Sequence, residues 1–238
     1  MQKKQLVFDL EFVTEKFEDL DLMTQKDLGK GLPDKEADPL GYAKEMNEIE
    51  RRMSFSPLLS RIIAIGVYDP AEDKGAVYYD AADTNPEDSE VDGIKYAAMT
   101  EAEMLVKFWA LAEITDEFVS FFGRRSDAPY LAIRSAINGI KPSKDLISNR
   151  YNSSHQPGAI HYDLAELLNF YGTGLYKGSL HAWCRAFNIT SPKSETMSGA
   201  EVPQAYRDGR YFEIAKYNMD DIKATAKLYE YWQRYVKM

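Results

Sequence analysis

Short runs rich in Val, Ile and aromatic residues alternate along this chain with stretches of helical periodicity, and that alternation constrains the fold most. The first run, residues 4–10, is apolar through Leu6, Val7 and Phe8 and closes on Asp9-Leu10-Glu11. A run this short and this dense in β-formers reads as a buried strand. Residues 61–68 and 76–79 read as a second and third strand, joined into a hairpin through Asp69-Pro70 and Gly75. Residues 85–93 read as a polar loop, and residues 118–122 and 158–162 as the fourth and fifth strands. Thr100 followed by Glu103 is a capping-box pattern ahead of Leu105, Phe108, Trp109 and Leu111. A helix is expected over 128–138 with Gly139 as its stop, another from a Ser179 cap through Phe187, and a last one over 211–236. A hairpin followed by alternating strands and helices is the pattern of a mixed sheet flanked by helices, an α/β fold. Residues 14–56 interrupt it. They are read as a mostly solvated acidic insertion with one helix near 41–52, leaving directly after Glu11 where it can act as a lid.

The length of 238 residues fits a single domain carrying such an insertion. Asp and Glu total 38 against 29 Lys and Arg, a formal charge of -9. Such a chain does not grip nucleic acid by bulk charge; a local basic groove or a bound cation would have to serve. No apolar run approaches the roughly 18–20 residues that span a bilayer. Asp9 interrupts the short apolar stretch near the start, against a signal peptide. A single cysteine, Cys184, excludes an intrachain disulfide. Together these point to a reducing, cytoplasmic setting.

Four acids stand at special positions. Asp9 and Glu11 are two apart on a strand and so share a face, expected at the sheet's carboxyl end where open α/β sheets place ligands. Asp127 follows the fourth strand across Gly123-Arg124-Arg125-Ser126, and Asp221 lies one helical turn after Tyr217. Carboxylates that converge resist ionisation unless a cation compensates. An all-oxygen set suits Mg²⁺ or Mn²⁺. Two such ions about 3.5–4 Å apart can hold the attacking and leaving oxygens of an in-line phosphoryl displacement. Each acid also has a plainer reading. Asp9 and Glu11 would be a solvated strand edge, Asp127 ahead of Ala128-Pro129 an N-cap, and Asp220-Asp221 a solvated helix face beside a core Tyr217. Other chemistries have less support. His155, His161 and His181 lack zinc-ligand spacing, Cys184 reads as a buried structural thiol, Gly29-Lys30-Gly31 is no P-loop, and Asp163 reads as an N-cap.

Phe8-Asp9-Leu10-Glu11-Phe12 resembles the first motif of the DEDD-type 3′–5′ exonucleases. Gly123-Arg124-Arg125-Ser126-Asp127-Ala128-Pro129-Tyr130-Leu131 resembles the second, and Tyr217-Asn218-Met219-Asp220-Asp221 the third in its tyrosine version, DEDDy. The chain is most similar to the group related to the proofreading domain of family B DNA polymerases. Arg61-Ile62-Ile63-Ala64-Ile65-Gly66, the stretch 179–189 and the loop with Lys193 resemble that group's second strand and later helices. The resemblance spans nearly the whole chain apart from 14–56. It implies a ribonuclease-H-like α/β domain with a five-stranded mixed sheet, order 3-2-1-4-5, the second strand antiparallel. It implies a hydrolase using two Mg²⁺ or Mn²⁺ ions to release nucleoside 5′-monophosphates from single-stranded 3′ ends of DNA or RNA. Asp9 would bridge both ions, Glu11 and Asp221 would complete the site of the water-activating ion, and Asp127 would hold the second through water. Tyr217 would orient the attacking water, and Arg124, Arg125 and Lys193 are candidate contacts to the substrate backbone. Asp221 is chosen over Asp220 because Tyr217 is then four residues away, and Lys216 stands where the histidine version of the family has His. Phe122 and Ser126 depart from the Asn and Phe usual in the second motif. Two rival readings follow: an inactive binding module of the same fold, or a hydrolase of short oligonucleotides.

Overall fold

Ten consecutive residues, Gln5–Thr14, form β1, on which the two halves of the sheet meet. The computed structural model describes residues 3–84, 86–174, 177–189 and 197–237. After β1 come α1 (Leu22–Leu28) and α2 (Pro39–Ser54), then β2 (Ser60–Asp69), β3 (Lys74–Tyr79), β4 (Ser89–Val91), β5 (Ile94–Ala98) and α3 (Glu101–Glu113). The chain continues with β6 (Glu117–Ser120), α4 (Asp127–Ile137), β7 (Ile160–Asp163), α5 (Leu164–Leu168), α6 (Leu180–Ala186), α7 (Val202–Arg207) and α8 (Tyr211–Tyr235).

The sheet has seven strands in the order β4-β5-β3-β2-β1-β6-β7. The five strands expected from sequence keep the relative order 3-2-1-4-5, with β2 antiparallel to β1. Two were not expected. β5 adds parallel to β3, and β4 pairs antiparallel with β5 where a polar loop was read. β5 buries Ile94, Tyr96 and Ala97, whereas β4 is a three-residue edge with Glu90 and Val91 exposed.

β1 also runs past its expected end at Leu10. β2 pairs with it from Val7↔Tyr68 to Thr14↔Ser60, so one edge stays hydrogen-bonded across a bulge between Glu11 and Phe12. The parallel partner β6 reaches only Val7↔Val119. Beyond Val7 the second edge of β1 is therefore open, along the stretch that carries Asp9 and Glu11. Alternation sends Leu6, Phe8 and Leu10 to one face, packed with Met104, Leu105 and Phe108 of α3. Val7 faces the other way, into the core closed by Ala215, Met219, Ile222 and Ala226 of α8.

The segment 14–56 carries the helix expected near 41–52, as α2, but adds a second, α1, and is less solvated than expected. Leu20, Met46, Ile49 and Met53 form a small core of their own with Phe17, Leu28 and Tyr42. Asp21 accepts from Met23 N and Thr24 N to start α1, and Asp38 accepts from Gly41 N to start α2. The charged residues that dominated its composition lie on the outer face of an amphipathic α2.

Between β6 and α4 the chain turns sharply. β6 stops at Ser120 rather than 122, and Phe122 takes a positive φ of 66°. Asp163 organises this turn. Its Oδ1 accepts from Phe122 N and its Oδ2 from Arg124 N, while Oδ1 also caps α5 through Ala165 N and Glu166 N. Asp163→Ala strands these buried N–H groups and is expected to cost about 2–4 kcal/mol. Thermal melting checks this, and an unchanged Tm would show that the turn holds itself.

Candidate active site

The face of β1 that carries Val7 also carries Asp9 and Glu11, and α8 lies across it. Oxygens of Asp9, Glu11 and Asp221 come within 4.8 Å of one another. Glu11 is buried, whereas Asp9 and Asp221 are partly exposed. Asn218, fully buried and one turn before Asp221, donates from Nδ2 to Asp9 Oδ2 at 2.9 Å. Gly66 on β2 pairs with Asp9. A Cβ there would stand 2.0 Å from Asn218 Oδ1 and 2.3 Å from Ile222 Cδ1, so only glycine lets α8 approach this closely. Asn218 was not singled out from sequence. The glycine inside an otherwise apolar strand was the available signal for a close helix.

Asp127 is the first residue of α4 and is buried. Its Oδ1 accepts from Leu10 N at 3.0 Å, on the edge of β1 that β6 leaves open. The carboxylate thus turns towards β1 and contributes no side-chain N-cap. Gly123 allows this turn, since a Cβ there would lie 2.3 Å from Ser120 Oγ and 3.2 Å from Asp127 Oδ2. Of the adjacent pair on α8, Asp221 joins the cluster and Asp220 is exposed.

These acids disturb one another. Burial, then the charges of Asp127, Glu11 and Asp221, hold the Asp9 carboxyl well above the usual carboxylate range, partly opposed by Asn218. Burial and the charges of Asp221 and Asp127 do the same to Glu11. Burial pushes Asp127 up to about 7. The Tyr217 phenol is driven far above its ordinary value by burial, by the charges of Asp221 and Glu11, and by its hydrogen bond to Asp221. An all-oxygen cluster whose members resist ionisation is suited to a hard divalent cation. Oxygens bound to one ion at 2.1 Å lie no more than about 4.2 Å apart, so three carboxylates already within 4.8 Å of one another need little movement to share one.

Residues 58–238 match a family described as predicted 3′–5′ exonucleases related to the exonuclease domain of PolB. The chain belongs to that family. The match starts beyond β1, so Asp9 and Glu11 lie outside it and Asp127, Tyr217 and Asp221 inside. The family B DNA polymerase of the hyperthermophilic archaeon Pyrobaculum calidifontis has a similar fold, with a TM-score of 0.58 over 98% of this chain at 15% identity. This chain spans 25% of that polymerase's length. No curated protein matches it. Among the described residues no helix is long and apolar enough to cross a membrane.

Within this exonuclease fold the three proposed substrate cations part company. Arg124 is buried. Its Nη1 donates to the carbonyls of Leu146 and Ile147, its Nη2 donates to that of His161, and its Nε lies 3.5 Å from Glu166. It braces the turn after β6 and, contrary to expectation, has no surface to offer a substrate. Arg125, its neighbour, is exposed. Lys193 lies outside the described residues. His161 is buried between Ser120 Oγ and the Leu146 carbonyl, and burial lowers it to about 3, so it stays neutral. Cys184 is buried and its thiol is pushed up to about 11, as for a structural cysteine.

The metal-free site carries a stability cost with a definite sign. A carboxyl whose pKa is higher folded than unfolded binds its proton more tightly in the folded state, so stability falls as pH rises through that window. For Asp127 the window runs from about 4 to about 7. In chelator at pH 8, Asp9→Asn should therefore melt higher than the wild type by a few degrees, about 1–3 kcal/mol. Mn²⁺ should raise the wild-type Tm and move the variant less. A variant that melts lower in chelator would argue that the acids do not strain the fold.

Proposed function

We propose that this chain is a metal-dependent 3′–5′ exonuclease that removes nucleoside 5′-monophosphates from unpaired ends of nucleic acid. The observation that carries the reading is the convergence of Asp9, Glu11 and Asp221 within 4.8 Å in a chain of this exonuclease family. Asp9, Glu11 and Asp221 are the residues to hold one Mg²⁺ or Mn²⁺, with Asp127 beside Asp9 for a second. Two bound ions would supply Lewis-acid activation of water and neutralise charge on the phosphate and leaving oxygen.

The chain's own groups do the positioning. Tyr217 stays protonated at any working pH, because neighbouring acids and burial oppose its ionisation. It can therefore orient a water but not act as its base. Asn218 fixes the rotation of Asp9 from α8, and Leu10 N–H fixes that of Asp127 from β1. A paired end would first have to unstack before its terminal phosphodiester could reach the acids. With a formal charge of -9, binding should be weak and dependent on cations in the site. We take residues 1–238 as one exonuclease domain on which 14–56 is an appended helical unit, working in a reducing cytoplasm.

A 5′-labelled oligonucleotide incubated with Mg²⁺ or Mn²⁺ should shorten in a ladder and release 5′-monophosphates. Asp9→Ala and Asp221→Ala should lose about a thousandfold or more in turnover, and Tyr217→Phe about 10–100-fold in kcat with KM little changed. Turnover of dinucleotides but not longer strands would reassign the enzyme to short oligonucleotides. Metal binding without cleavage of any of these would leave a binding module.

A further inference from the structure

A cleft of about 370 Å³ opens beside the turn between β6 and α4, lined by Phe122, Arg125, Tyr171, Lys177 and Trp183 among others. That volume is within the range of small-ligand sites, about 300–1,000 Å³. It adjoins the Asp127 turn, because Phe122 precedes Gly123, whose Cβ position lies 3.2 Å from Asp127 Oδ2. Trp183 enters from α6.

Three features set the cleft apart from ordinary surface. Its aromatic walls are held in costly backbone conformations: Phe122 has a φ of 66° and Tyr171 of 56°, the latter following Phe170 at 48°. L-residues with side chains this bulky avoid this region, and such strain concentrates where a side chain must be delivered to a ligand. Phe122 is also 47% exposed, so no packing in the core explains its placement. Second, Asn169 lines the cleft, and its Oδ1 is a buried acceptor with no hydrogen-bond partner. Third, Arg125 and Lys177 reach the cleft without an ion pair among the described residues, whereas Arg150 is paired to Glu166.

We propose that this cleft seats one unpaired nucleobase of the substrate strand, stacked against Phe122 and Tyr171 with Trp183 closing the site, while Arg125 and Lys177 take the flanking phosphates. Stacking is tolerant of base identity, so the cleft would select single strands rather than sequences. This rests on the nucleic-acid reading above.

The test is binding of a single-stranded DNA hexamer in Ca²⁺, compared with hexamers in which one base at a time is removed. Wild type should lose roughly tenfold in affinity at one position and much less at the others. Phe122→Gly should bind the intact hexamer roughly tenfold more weakly and lose nothing further when that base is missing. Because glycine relieves the positive φ, the same variant should melt higher than wild type, which a merely structural role for Phe122 would not produce. Arg125→Ala should weaken all hexamers alike and reduce the salt dependence by about one ion. An equal penalty at every position, a full penalty retained in Phe122→Gly, or no hexamer binding would overturn the assignment. Cleavage is read separately in Mn²⁺. A ladder without the base penalty sinks the cleft alone, and the base penalty without a ladder sinks the exonuclease reading alone.

Discussion

Four carboxylates drawn into one desolvated space repel one another, and much of this fold can be understood as the means of holding them there. Asp9 and Glu11 sit on β1 where β2 still secures one edge but β6 has ended. That ending leaves Leu10 N–H free to receive Asp127, a link between β1 and α4 that a longer β6 would have consumed. Asp221 arrives on α8, whose approach depends on the absence of a side chain at Gly66. The opposing attraction is apolar. Ile214, Met219, Ile222, Leu228 and Tyr229 are all buried along α8, each worth about 1.5–3 kcal/mol when fully removed from water. A helix of 25 residues so anchored can carry a polar cluster at its middle without leaving the sheet.

Much of this was legible because periodicity reports burial. The apolar runs at 61–68 and 76–79 and the last helix are where they were expected, and the capping box at Thr100 is formed in both halves. What failed to show was structure stabilised by position rather than by composition. β4 is exposed and polar, held by β5 and not by its own residues. In 14–56 the helix near 41–52 was expected but α1 and the small core were not, because α2 buries only a narrow stripe, Met46, Ile49 and Met53, and charged residues dominate any average over the segment. β1 outruns its hydrophobic run because a strand's end is set by its partner, here β2.

The site shows the same division. Spacing put Asp9 and Glu11 on one face and Asp221 one turn after Tyr217; the choice of Asp221 over Asp220 came from the resemblance, and on α8 Asp221 joins the cluster while Asp220 is exposed. Direction was not legible. Arg124 and Arg125 are identical neighbours, yet one guanidinium is buried against three carbonyls and the other is in solvent. The turn at positive φ, organised by Asp163, decides which is which. Asn218 escaped notice because an amide between two motif residues carries no pattern of its own. Its role follows only once Gly66 is seen to pair with Asp9.

The end of the segment 14–56 meets α4, the helix that begins with Asp127. Tyr130, three residues after Asp127, hydrogen-bonds Ser60 Oγ and the Ser54 carbonyl, and its ring stacks on Phe12 at 3.8 Å. One turn further, Arg134 donates to the Pro57 carbonyl and pairs with Glu101 of α3. The end of α2, the tail of β1 and the start of β2 therefore grip the helix that begins with Asp127. A carboxylate held by a single backbone N–H would rotate freely if its helix could slide. These contacts remove that freedom, so the register between β1 and α4 keeps Asp127 beside Asp9. Of these contacts only the Ser54 carbonyl belongs to the segment 14–56, at the end of α2; the rest of the brace comes from Phe12 on β1, Pro57 and Ser60 at the entry to β2, and Glu101 on α3.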